Sequence, residues 1–195
     1  MHLTNLNSSN IINFLFAIFP LSFILGNFVI NLNILLLLLF TCLFYKKEIF
    51  NFNLTFLDKL IIFFFIYTFF VLSINFFKSY LSGSGFPEII VNKSIFFFRY
   101  LLFYLIIRIL LTNNIIQLKK FFYSCLFLTI FVSLDIFIQT ILKYDLFGIQ
   151  PISSRHFSGP FGEELIAGGY LQRFSIFGII PIFFIKNELK KKLYL

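Results

Sequence analysis

The chain has 195 residues, of which 59% are hydrophobic and only 12% charged, and its mean hydropathy is +0.95. Soluble domains are roughly 45–50% apolar and 25% charged, so a water-soluble globule is excluded, as are a collagen, a disulfide scaffold and a disordered tail. Net charge is +8, but the basic residues stand in short clusters between apolar runs, which is the pattern of a membrane protein and gives no reason to expect nucleic acid as a partner.

A helix crosses a bilayer with about 20 apolar residues, and six stretches come near that length. The first spans 11–25 and contains Pro20, and Gly26-Asn27 form a turn after it. Its N-terminal flank has no Lys or Arg and no small-x-small cleavage site follows, so it is read as a retained span and not a signal peptide. The others span 28–45, 60–77, 95–111 with Arg99 and Arg108, 121–142 with Asp135 and Gln139, and 165–185 with Arg173 and Pro181. The expected fold is all-α, a single polytopic transmembrane bundle over 1–195. Cys42 and Cys125 both fall inside apolar runs, without metal-ligand spacing, and read as small core residues.

Orientation follows from the loops. Nine Lys lie in 46–59, 112–120 and 186–195, against four Lys and Arg in 78–94 and 143–164. The richer side is cytoplasmic by the positive-inside rule, so both termini face the cytoplasm and the loops 78–94 and 143–164 face outward. The final Leu193-Tyr194-Leu195 could begin a further span, so a longer protein is expected.

Ionisable residues inside a span need a partner or water. Arg108, one turn from the cytoplasmic end of its helix, can reach the headgroups. Asp135 lies roughly 10 Å from the outer end of the fifth span, and Gln139, four residues on, shares its face. Arg173 lies at a matching depth, roughly 12 Å down the sixth span, and Arg99 is near the outer end of the fourth. Two readings stay open: Asp135 pairs with one of these arginines and locks two helices together, or the group lines a polar cavity that opens outward to an anionic headgroup.

The most informative stretch is 151–171, which is polar and Gly-rich and leads into the sixth span. Gly159-Pro160 marks a turn, Glu163 and Glu164 suit a helix N-terminus, and Ala167-Gly168-Gly169 allow another helix to approach. Arg155-His156 has no packing explanation. The run Arg155-His156-Phe157-Ser158-Gly159-Pro160-Phe161-Gly162, followed by Ala167-Gly168-Gly169-Tyr170-Leu171, resembles the O-antigen ligase and polymerase family of polytopic membrane glycosyltransferases. Many members have Asn-Pro-Asn after the turn, where this chain has Glu163-Glu164-Leu165.

The resemblance implies metal-independent transfer of a glycan from a polyprenyl-diphosphate carrier to lipid A-core or a growing polysaccharide, at the outer face of a bacterial inner membrane. It implies no cofactor, and membrane lipids and the lipid-linked glycan as partners. Arg155 matches the family's arginine and would hold the diphosphate, and His156 is a candidate base. Arg99, Arg173, Asp135, Glu163 and Glu164 join the substrate-binding candidates from depth, face and position. Family members carry about twice as many spans and a large outer loop in their second half, so this stretch alone is expected to be inactive. Two other classes remain open: a transporter or flippase using the same buried charges, and a bundle without chemistry.

Overall fold

The computed structural model describes the backbone of residues 2–82, 87–151, 157–162 and 164–193, and the side chains of 8–81, 97–151, 157–162 and 164–183. The described residues are helical, with no strand among them. The long helices are α1 (His2–Ile24), α2 (Asn27–Phe44), α4 (Phe56–Ser82), α5 (Pro87–Thr112), α6 (Leu118–Leu142) and α7 (Ala167–Leu193). A short α3 (Lys46–Phe50) follows α2, and a single 3₁₀ turn covers Gly159–Phe161. Within α2, α4 and α6 lie stretches long and apolar enough to cross a membrane, and 8–24 of α1 is a shorter apolar stretch. Exposed Phe, Leu and Ile cover these helices, a surface suited to lipid and not to water.

Two compact units divide the chain: residues 1–35 with 116–195, and residues 36–115. In the first, α6 packs against both α1 and α7. Its inner face is Phe121, Cys125, Leu128, Thr129, Val132, Asp135 and Gln139, all buried, at the three- and four-residue spacing of one helix side. Phe16 of α1 stacks on Phe121 with ring centroids 4.7 Å apart, and Phe121 meets Phe177 of α7 at 5.6 Å. Phe23 of α1 meets Phe174 of α7 at 5.2 Å. Polar side chains join the helices where rings do not. The Asn13 side-chain oxygen of α1 accepts the Gln117 N–H at the start of α6 at 2.6 Å, satisfying a donor that a helix N-terminus leaves open. Asn33 of α2 donates to the Leu15 carbonyl of α1 at 3.2 Å.

In the second unit α4 and α5 form the main pair, with Phe65 against Phe97 at 4.8 Å and Phe69 against Phe98 at 5.3 Å. Their polar contact sits at the start of α4. Thr55 caps the helix: its N–H and hydroxyl donate to Asp58 Oδ2 at 2.8 and 2.6 Å, and the Asp58 N–H donates back to Thr55 Oγ1 at 3.4 Å. This is the reciprocal capping box, with Asp in the place usually held by Glu or Gln. Asp58 Oδ1 then accepts from the Tyr104 hydroxyl at 2.6 Å and from Arg108 Nε at 3.4 Å. Arg108 therefore has a carboxylate partner on α4, where a reach to headgroups was expected, because the capping box had already brought a buried carboxylate within range. It is the one ion pair among the described residues.

Two further expectations are corrected. Cys125 is buried as expected, but Cys42 is exposed, since α2 is apolar on every side and periodicity does not mark its inner face. The close helix approach falls at Gly178 and not at Gly168-Gly169. A Cβ at Gly178 would stand 3.1 Å from Thr129 Oγ1 and 3.2 Å from the Leu126 Cα, whereas one at Gly168 or Gly169 would meet nothing within 4 Å.

Gly178→Leu should therefore drive α7 off α6 and destabilise the first unit by at least about 1–3 kcal/mol, while Gly168→Leu should be tolerated. Thermal unfolding followed by the reactivity of the buried Cys125 thiol, in a Cys42→Ser background, distinguishes the two. Equal melting temperatures would contradict the packing described.

Candidate functional site

The polar end of α6 and the loop after it build the site. Lys143 ends the helix in the left-handed conformation, φ 64°, and its N–H donates to the Gln139 carbonyl at 3.1 Å. Asp145 then organises the turn, its Oδ1 accepting the N–H groups of Phe147 and Ile149 at 2.9 and 2.7 Å. A carboxylate folding the following backbone onto itself is the ordinary Asx device, and Gly148 at φ 82° supplies the positive φ that the turn requires.

The chain next folds back against α6. Asp135 Oδ1 accepts the Leu146 N–H at 2.8 Å. Gln139 accepts the Gly159 N–H at 3.0 Å through Oε1 and donates to the Ile149 carbonyl at 3.4 Å through Nε2. Both side chains are fully buried, so the expected shared face of Asp135 and Gln139 exists and is occupied by loop backbone. Asp135 makes no ion pair among the described residues. The Leu146 N–H reaches it through the fold of the 143–149 turn, and Arg173 lies exposed on α7.

Gly159 starts the 3₁₀ turn at φ 56°, and a Cβ there would stand 2.9 Å from Ile136 Cγ1 and 3.7 Å from Asp135 Oδ2. Only glycine meets both the conformation and the contact. Phe161 is buried and packs its ring on Tyr170 of α7 at 5.3 Å, and Tyr170 lies tilted against Phe174 at 4.7 Å. The motif turn is thus fastened to α6 by the Gly159 N–H bond to Gln139 and to α7 by the Phe161 ring on Tyr170.

Of the predicted site residues, Arg155, His156 and Glu163 lie outside the described residues. Glu164 is exposed, and its N–H donates to the Phe161 carbonyl at 3.2 Å. It stands in the turn before α7, which begins at Ala167 with no acidic residue in its first turn. The expected helix start at 165 moves because Leu165 and Ile166 belong to that turn. Arg99 belongs to the second unit, where its Nη2 donates to the Tyr100 hydroxyl at 2.9 Å and its guanidinium lies 4.8 Å from that ring. The structure thus gathers Asp135 and Gln139 with the motif turn, and keeps Arg173 and Glu164 at the surface of the same unit.

Several polar residues stand out only in the structure. Asp145 and Ser158 are buried beside Asp135 and Gln139, and Asp58 and Tyr104 form the node of the second unit. The Thr55-to-Asp58 spacing and the Asp145-to-Gly148 spacing are helix-cap and turn signatures, and carry that signal in the sequence. Two cavities in the second unit, one of about 330 Å³ beside Lys47, Asn51 and Asn113 and one of about 350 Å³ beside Tyr67 and Phe97, touch none of the predicted site residues.

No family model, curated protein or solved structure matches the chain.

Gly159→Ala should cost at least about 1–3 kcal/mol, from strain at positive φ and from the contact with Ile136, and should make the 143–162 loop more sensitive to protease. Gln139→Leu should do the same by stranding the Gly159 N–H. Limited proteolysis in detergent is the measurement, and unchanged loop cleavage in both variants would refute the anchoring.

Proposed function

We propose that the chain is part of a lipid-linked glycan ligase or polymerase of the O-antigen type, in a bacterial inner membrane. In this reading six spans cross the bilayer, both termini are cytoplasmic, and the loops 78–94 and 143–164 face outward. Glycan passes from a polyprenyl diphosphate to lipid A-core or a growing polysaccharide, in a metal-independent transfer. Arg155 would hold the diphosphate, since a guanidinium stays charged at any working pH and its fork matches phosphate oxygens. His156 beside it would serve as base, and Arg173 would add a second positive charge. Asp135 and Gln139 act as positioning residues beneath the turn, because both are buried against loop backbone. Arg99 belongs to the second unit and this reading does not require it.

The observation that carries the reading is the fastening of the Gly159–Phe161 turn to α6 and α7. A phosphate-binding residue must be held in place to lower the ordering cost of binding, and here the chain directly after Arg155-His156 is pinned by the Gly159 N–H and the Phe161 ring. A transporter or flippase is the second reading, favoured by the burial of Asp135 and Gln139 within an apolar helix. A bundle without chemistry would use the same fastening for packing alone.

The test uses the whole chain in nanodiscs and measures binding of polyprenyl diphosphate against a zwitterionic lipid of equal chain length. Arg155→Ala and Arg173→Ala should each weaken binding about tenfold, the loss of one charge-assisted hydrogen bond. Equal affinity for the two lipids would sink the ligase reading. For orientation, Phe147→Cys in a cysteine-free background should label from outside intact cells, and Asn51→Cys only after permeabilisation.

A further inference from the structure

The first unit buries two carboxylates that have no cation beside them among the described residues. Asp135 is fully buried and Asp145 is 2% exposed. Each uses one oxygen: Asp135 Oδ1 takes the Leu146 N–H, and Asp145 Oδ1 takes those of Phe147 and Ile149. The second oxygen of each, and the hydroxyl of the fully buried Ser158, have no hydrogen-bond partner. The three groups are neighbours. Asp135 Oδ1 accepts the N–H of Leu146, the residue directly after Asp145, at 2.8 Å. Ser158 precedes Gly159, whose Cβ position stands 3.7 Å from the free Asp135 Oδ2.

The unit's described charged groups leave this pair uncompensated. Lys143, one turn past Gln139, holds its ammonium 5.9 Å from the Phe157 ring. Lys119 and Lys120 are exposed at the opposite end of α6, and Arg173 and Glu164 are exposed on α7 and the turn before it. Tyr170 brings a buried hydroxyl without charge, and residues 8–24 of α1 carry no charge at all. Two buried carboxylates close together do not both stay ionised without a compensating positive charge.

We propose that Asp135 and Asp145 form a site for one small cation, with Asp135 Oδ2, Asp145 Oδ2 and Ser158 Oγ as its oxygen donors. The charge is either a proton shared by the carboxylates or a sodium ion. Hard oxygen donors suit an alkali cation, and the described residues hold no group of three His, Cys, Asp or Glu to cage a more highly charged metal. The bound charge steadies the 143–149 turn against α6, because Asp135 accepts the Leu146 N–H and Asp145 those of Phe147 and Ile149. This inference does not depend on the glycan-transfer reading.

The whole chain in nanodiscs is melted in sodium chloride and in choline chloride at equal ionic strength, at pH 8.5 and at pH 5. A sodium ion raises the melting temperature at pH 8.5 in a saturable way, by about 3 °C or more. A proton bound only by the folded state gives no sodium effect, but the melting temperature rises by a similar amount as pH falls. In the Asp135→Asn, Asp145→Asn double variant both responses should vanish. A wild type whose sodium and pH responses equal those of the double variant overturns the site. Should the double variant fail to fold, the wild type decides alone: the infrared band of a buried protonated carboxyl at pH 7 reports the proton, and sodium NMR line broadening reports the ion. Absence of both overturns the proposal.

Discussion

Buried backbone donors must find acceptors, and that constraint organises the first unit. Leu146 and Gly159 bring their N–H groups against α6, Gly159 in a buried position beside Ile136. Asp135 and Gln139 supply the two acceptors, and an orphaned donor there would cost about 1–3 kcal/mol. With those two bonds made, the loop returns to the helix it left, Gly159 can lie directly on Ile136, and Phe161 enters the ring stack of α7. Replace the polar pair by leucines and only the Phe161 ring on Tyr170 is left to hold the turn.

The rest of the packing is apolar and follows from size and shape. With Phe at 34 of 195 positions, rings meet wherever helices cross, and edge-to-face or offset stacking sets the separations. Gly178 lets α7 approach the Leu126–Thr129 turn of α6 more closely than any side chain allows. Polar residues then define which faces are inner: Asn13, Asn33, Thr129, Asp135 and Gln139 are buried in the first unit, and Asp58 in the second. In a medium as apolar as the helices themselves, hydrogen bonds and close packing, and not the hydrophobic effect, choose the interface.

The same side chains serve two demands. Under the proposed function a pinned turn after Arg155-His156 is what a phosphate-binding residue needs, and the same folding leaves Asp135 and Asp145 buried with no cation beside them among the described residues. In the proposed cation site, whatever neutralises the carboxylates also decides how firmly the 143–149 turn is held. The second unit shows the contrasting solution, where Asp58 is answered by Thr55, Tyr104 and Arg108 and needs no further charge.

Composition, with 59% hydrophobic and 12% charged residues, pointed to a membrane, and the lengths of the apolar runs pointed to helices. Each of the six apolar stretches coincides with one long helix, apart from residues 25, 45 and 165–166 at the ends, and α1, α5 and α7 run on beyond their apolar stretches. The i, i+4 spacing likewise put Asp135 and Gln139 on one face before any neighbour was known. What those residues bind was decided only by tertiary structure. The helices are apolar all round, so periodicity does not say that Cys42 faces out, that Gly178 and not Gly168 is the crossing point, or that Arg108 meets Asp58. An arginine at matching depth looked like the partner of Asp135, yet the turn built by Asp145 and Gly148 delivers a backbone N–H to that carboxylate. Depth along a helix is a one-dimensional quantity read from residue number, whereas a hydrogen bond depends on which backbone the loop returns, and that is a property of the folded chain.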